Sequence, residues 1–179
     1  PIVGADGSWG LKRAQGFSHE GHSLCTMLKM GLMFEDPAMM WQLDKVWPMA
    51  DFASLGSNDL VQFLFATDRG NPKLAGRYDP LSPAALSALR LIVEKGKQHG
   101  KSVTLCGELG GKPLEAMGLA GVGLTSMSMV PSGIGPVKAM VRPLDQGKLW
   151  AFMQPLLSSG KHSLRQDLAD FAKANNVEV

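Results

Sequence analysis

Short apolar runs alternating with helical patterns constrain this chain more than any other feature. Four such runs occur: residues 30–34 (MGLMF), 51–56 (DFASLG), 102–107 (SVTLCG) and 125–129 (TSMSM). Each is followed by a helical pattern: 37–47 (PAMMWQLDKVW), NDLVQFLFAT after Gly56, KPLEAMGLAGVG after residue 111, and a helix near 133–141. Such alternation predicts repeated βα units, hence a parallel sheet with helices outside it. Residues 83–100 (PAALSALRLIVEKGKQHG) carry the strongest helical period. Leu86, Leu89, Ile92 and Val93 fall on one face, Ser82 can cap the start and Gly100 can end it. Pro37 stands at a first helical position, where its missing N–H costs nothing. Further helices are expected over 146–157 and 164–175. Residues 1–27 show no clear period and read as loop or frayed terminus, with a short helix around 10–18.

Composition narrows the function classes. A chain of 179 residues with 45% hydrophobic content is one domain with enough apolar side chains for a core. The net charge of +2 is spread over scattered Lys and Arg with no aromatic interleaving, so nucleic acid is not an expected partner. The two cysteines, Cys25 and Cys106, have no metal-like spacing and are expected as free thiols in a reducing cytoplasm. No apolar run approaches the roughly 18 residues of a membrane span. The opening PIVGADGSWGLK has neither the cationic start nor the apolar length of a signal peptide. A cytoplasmic protein with no membrane partner is the expectation. His19, His22, His99 and His162 show no ligand spacing on a common helix, and SHEGHS reads as a polar loop rather than a metal site. DGSWG places Ser8 in an elbow-like setting, but it lacks the first glycine of G-x-S-x-G and any long preceding strand.

The chemistry-bearing residues fall at the strand ends: Glu35, then Asn58 and Asp59, then Cys106 and Glu108, then Ser128. In parallel α/β folds the site lies at the carboxyl ends of the strands. Glu35 reads either as a solvated acid favouring the positive end of the next helix or as a ligand. Asn58 and Asp59 suit a helix start. Asp59 paired with Glu35 also suits Mg2+, which takes one or two carboxylates plus substrate oxygens. Arg69, in TDRGN beside Asp68, is a surface arginine or a guanidinium held ready for bidentate phosphate binding. Cys106, in LCGELGG, is an inert buried thiol or a reactive one at a strand tip.

Five segments, LMFEDPAMMWQLD, ADFASLGSNDLVQFLFATDRGN, YDPLSPAALSALRLIV, VTLCGELGGKPLEAMGLAGVG and SMSMVPSGIGPVKAMVR, resemble in that order the C-terminal barrel of the phosphoenolpyruvate (PEP)-utilising enzymes. The likeness is greatest to enzyme I of the bacterial phosphotransferase system, especially its nitrogen-branch paralogue. It divides the chain into residues 1–20, a divergent or disordered segment, and 21–179, a partial barrel domain. The fold it implies is α/β, the C-terminal half (about four βα units) of a (β/α)8 TIM barrel. A half barrel leaves two open sheet edges, so completion by oligomerisation, as a homodimer or higher, is expected.

The resemblance implies PEP and Mg2+ binding, with the phosphoryl group passing to a histidine on a separate domain and pyruvate released. By motif, Glu35 (in EDP) and Asp59 (in SND) resemble the Mg2+ ligands, and Asn58, Asp59 and Arg69 line the phosphate. Cys106 (in CGE) resembles the acid that protonates the enol carbon, with Arg69 as its catalytic companion at the phosphoryl group. Glu108 and the neighbouring glycines shape the substrate mouth. A phosphocarrier acceptor would be reached only through domains that have no counterpart in this sequence. Two other functions remain open on the residues: a non-catalytic regulatory or assembly half barrel, and a hydrolase using the same strand-end pocket or Ser8.

Overall fold

A computed structural model describes residues 29–74 and 76–179. Three parallel strands lie side by side: β1 (Gly31–Phe34), β2 (Phe52–Gly56) and β3 (Ser102–Cys106). Phe34 stands opposite Leu55, and Leu55 opposite Leu105. Each strand is laid down beside the one before it, so the sheet grows in one direction. The α/β class and the parallel sheet are as expected.

Two expectations need correction. Residues 125–129 do not form a fourth strand. Met127 alone bridges to Leu105, whose N–H donates to the Ser126 carbonyl and whose carbonyl accepts from the Ser128 N–H, both at 2.9 Å. Side chains take over beside that rung: Thr104 Oγ1 donates to Ser126 Oγ, and Ser128 Oγ donates to the Leu105 carbonyl. Pro131 then opens a helix and has no N–H to add a rung. The helix expected over 37–47 is split as well. A 3-10 segment, Pro37–Gln42, runs into the short α1 (Leu43–Val46) and a second 3-10 segment, Trp47–Met49. Asp36 caps the first, accepting from the Ala38 N–H at 2.8 Å. Pro48 removes an N–H from the last, so a regular α ladder cannot run through it.

The remaining helices are α2 (Ser57–Leu64), α3 (Pro83–Gln98), α4 (Pro113–Gly121), α5 (Pro131–Val141), α6 (Gln146–Leu157) and α7 (Arg165–Ala174). On α3 the expected face is buried, and Ser82 Oγ accepts from the Ala85 N–H at 3.3 Å. The α6 span matches the sequence reading, with Asp145 capping it through the Lys148 N–H at 3.0 Å. The short helix expected around 10–18, and Ser8, His19, His22 and Cys25, lie outside the described residues.

The core lies between sheet and helices, where Trp47, Leu55, Leu89, Ile92 and Leu105 are fully buried. Burying a side chain of that size stabilises the fold by about 1.5–3 kcal/mol. Phe34 tilts against Trp47 at 5.2 Å, fixing the end of β1 to the segment before β2. Arg90 of α3 lies 4.7 Å over the Trp150 ring of α6 and bonds Gln154, holding those two helices together. Arg165 opens α7 and pairs with both Asp79 and the buried Glu115 at 2.8 Å. Burial pushes the Asp79 carboxyl up, but the Leu81 N–H, the Ser163 hydroxyl and Arg165 outweigh it and hold it below its ordinary range. The loop before α3 is thereby pinned to α4 and α7. No described helix is long and apolar enough to cross a membrane.

Candidate active site

The chain passes from β2 into α2 without a loop: Gly56 is the N-cap, and Asn58 and Asp59 fall in the first turn. Any larger residue at position 56 would push its neighbour's side chain aside. A Cβ there would lie 2.5 Å from Glu35 Cγ and Oε1. Glu35, one residue past β1, therefore lays its carboxyl group over the end of β2. Two acidic residues flank one strand-to-helix junction.

β3 ends beside them, with Cys106 opposite Gly56 in the ladder. The Cys106 thiol donates to the Leu55 carbonyl at 3.2 Å and lies 3.4 Å from Met33 Sδ. Burial, and after it the charge of Glu35, push the thiol above its ordinary value of 9.0. At neutral pH it is a thiol, not a thiolate. Gly107 turns the chain away with φ +123. A Cβ there would meet Ser57 Oγ at 3.0 Å and Asn58 Nδ2 at 3.7 Å. Ser57 is buried, and its Oγ donates to the Cys106 carbonyl at 3.4 Å, tying the start of α2 to the end of β3. The sequence reading missed Ser57; its place directly after the strand-end glycine, before Asn58, was the available signal.

Arg69 Nη2 lies 3.5 Å from Asp59 Oδ1, with the two side chains 50% and 37% exposed. A pair this exposed is worth little, so both groups are available to a ligand. The carboxylate at the Arg69 guanidinium is thus Asp59 rather than the adjacent Asp68, whose Oδ1 accepts from the Gly70 N–H at 2.8 Å. The Arg69 N–H donates to Gln62 Oε1 at 3.2 Å, which anchors the loop to α2. Glu108 is exposed and lines an open cavity of about 540 Å³ with Gly107, Gly111, Lys112, Ser128 and Met129. Glu35, Asp59 and Arg69 are not part of that cavity's wall. Of the histidines, His99 pairs with Asp44 on the surface.

Among the described residues no three His, Cys, Asp or Glu side chains gather as a metal site. The donors at the junction are two carboxylates. Such a pair fits Mg2+ only if substrate oxygens and water complete its shell, which is how Mg2+ is commonly held.

The Glu35–Cys106 proximity has a measurable consequence. Removing the negative charge in Glu35→Gln should lower the thiol pKa, so iodoacetamide labelling of the Cys106 peptide should rise at a lower pH than in the parent protein. Identical pH profiles for the two proteins would show that the Glu35 charge does not reach the thiol.

A parallel sheet with acids, a guanidinium and a thiol near its carboxyl ends defines an α/β domain with a candidate strand-end site. The family described as PEP-utilising enzyme, PEP-binding domain matches residues 11–146, and the chain belongs to that family. It is 41% identical over 118 residues to "Multiphosphoryl transfer protein 1" of Escherichia coli, covering 66% of this chain and 14% of that protein. It is 44% identical over 115 residues to "Multiphosphoryl transfer protein" of Xanthomonas campestris, covering 64% and 14%. Identity is 38% over 117 residues to "Phosphoenolpyruvate-dependent phosphotransferase system" of Salmonella typhimurium, covering 65% and 16%. The matched segment is thus 14% to 16% of the length of these relatives. The family resemblance read from the five motifs holds.

Proposed function

We propose that this chain is the PEP- and Mg2+-binding portion of a PEP–protein phosphotransferase, incomplete by itself. Such a protein moves the phosphoryl group of PEP to a phosphocarrier partner and releases pyruvate. The observation that carries the reading is the junction at Gly56. The Glu35 carboxyl lies over it, Asn58 and Asp59 follow it, Cys106 stands opposite it, and Arg69 meets Asp59. Membership of the PEP-binding family and the names of the relatives supply the ligand.

Glu35 and Asp59 would hold Mg2+, which when bound neutralises charge on the transferring phosphoryl group. Arg69, only loosely paired, turns its guanidinium to the phosphate for a bidentate contact. Asn58, held against Gly107, donates its amide to a second phosphate oxygen. As the phosphorus–oxygen bond to the enol breaks and the bond to the acceptor forms, an enolate remains. The Cys106 thiol gives its proton to the enolate carbon, which becomes the methyl of pyruvate, and is left as a thiolate. Burial keeps that proton on sulfur until then. Glu108 and its glycine neighbours form the mouth through which substrate passes.

Calorimetric titration of PEP into the chain should give saturable binding with Mg2+, weakened by about a hundredfold when a chelator removes the ion. No binding with Mg2+, or equal affinity with and without it, would overturn the reading.

The sheet supports self-association. Among the described residues β1 pairs with β2 alone, and Met33 on β1 is 53% exposed. An unpaired, apolar strand edge is a template for another chain. Two copies then complete the arc, and light scattering should give twice the 19.2 kDa chain mass. A monomer at micromolar concentration would contradict this.

A further inference from the structure

A second cavity, of about 250 Å³, with a largely apolar lining, lies where the loop before α3 meets the connection between α6 and α7. It shares no wall residue with the strand-end junction. The loop contributes Arg77 and Tyr78, and the connection contributes Ser159, Lys161 and His162. Three of these five side chains are cations or can become so.

The charges around the cavity are unevenly satisfied. Lys161 is engaged by Asp167. Asp79 also lines the cavity, but its carboxylate is occupied by the Leu81 N–H, the Ser163 hydroxyl and Arg165. Arg165 is shared with Glu115, so this group keeps one net negative charge, but it makes no ion pair with Arg77 or His162, and neither of those side chains has one among the described residues. Phe65 stacked on Tyr78, with ring centroids 5.3 Å apart and planes within 5°, supplies a flat apolar wall.

We propose that this cavity binds a small phosphomonoester at a site separate from the PEP site. The Arg77 guanidinium offers a fork matched to a phosphate, His162 a further donor, and the aromatic wall a surface for the planar part of the ester. This goes beyond the proposed function. Arg69 and Arg77 lie on one connection between α2 and α3, so occupancy ties the loop of the first site to the α6–α7 turn.

The test is a titration of phenyl phosphate into the full 179-residue chain, followed by amide NMR. Saturable shifts at Arg77, Ser159 and His162 are expected, retained in Arg69→Ala. They should weaken by about tenfold in Arg77→Ala and again in His162→Ala, the loss of a charge-assisted contact. Arg77→Lys should recover part of the affinity, which separates charge from any change in folding. Shifts that do not saturate, that persist unchanged in both alanine variants, or that vanish in Arg69→Ala overturn the proposal. The last result would place the phosphate at the first site. Failure of PEP to bind leaves this experiment unaffected, so the two readings fail separately.

Discussion

Asp59→Ala should erase the metal dependence of PEP binding, with affinity in Mg2+ falling by about a hundredfold. Asp59 serves two partners in the proposed site. It is one of two carboxylates at the Gly56 junction, and it is the ion-pair partner of Arg69. Among the described residues, its removal leaves Glu35 as the one carboxylate at that junction, while Arg69 is released. Without metal, the effect should therefore reverse. Removing a negative charge next to the phosphate should tighten metal-free binding slightly, by less than about fivefold, since an exposed pair is worth about 0–1 kcal/mol. The affinities with and without Mg2+ should converge. Folding should change little, because an acid in the first turn of a helix contributes only about 0.3–1 kcal/mol. A variant that keeps its full Mg2+ dependence would exclude Asp59 as a metal ligand.

Trp47→Ala is the substitution expected to cost most in stability, about 3–5 kcal/mol. Trp47 is completely buried, packs against Phe34 at 5.2 Å, and joins β1 to the segment that leads into β2. In urea the midpoint should fall by about 2 M, given the usual dependence of stability on denaturant for a domain of this size. Trp47→Phe should cost far less than lost volume alone suggests. The indole N–H is buried with no partner among the described residues, so replacing it removes an unsatisfied donor as well as ring atoms. Equal midpoints for parent and Trp47→Ala would contradict the packing of this core. Because Phe34 precedes Glu35, loosening here should also weaken PEP binding in molecules that remain folded.

The strongest signals in the sequence were those with local causes. On α3 the period, the Ser82 cap and the proline at the first position all act within a turn or two, and the structure follows them. The chemistry at the strand ends was legible for a related reason, since parallel order puts every strand's carboxyl end on one side. What escaped the sequence depends on distant partners. TSMSM has a strand-like alternation, but whether it makes one rung or five is decided by how Leu105, Thr104 and Ser126 share their hydrogen bonds. The run over 37–47 looked like one helix because its apolar spacing is helical; the structure divides it into a 3-10 segment, a short α turn and the start of a second 3-10 segment that contains Pro48. Likewise, that Glu35 bends over Gly56, and that Arg69 meets Asp59 rather than Asp68, follows from the placing of β1 beside β2 and of the loop beside α2. Neither is written in nearest neighbours.

The proposed site comes down to one ion bridging residues 35 and 59. Crystals grown with Mn2+ in place of Mg2+ and with PEP would locate it by anomalous scattering. The expected result is a single peak at about 2.1 Å from a carboxylate oxygen of each residue and from a phosphate oxygen. A peak bound to only one of the two carboxylates, or PEP seated with no metal beside it, would contradict the proposal.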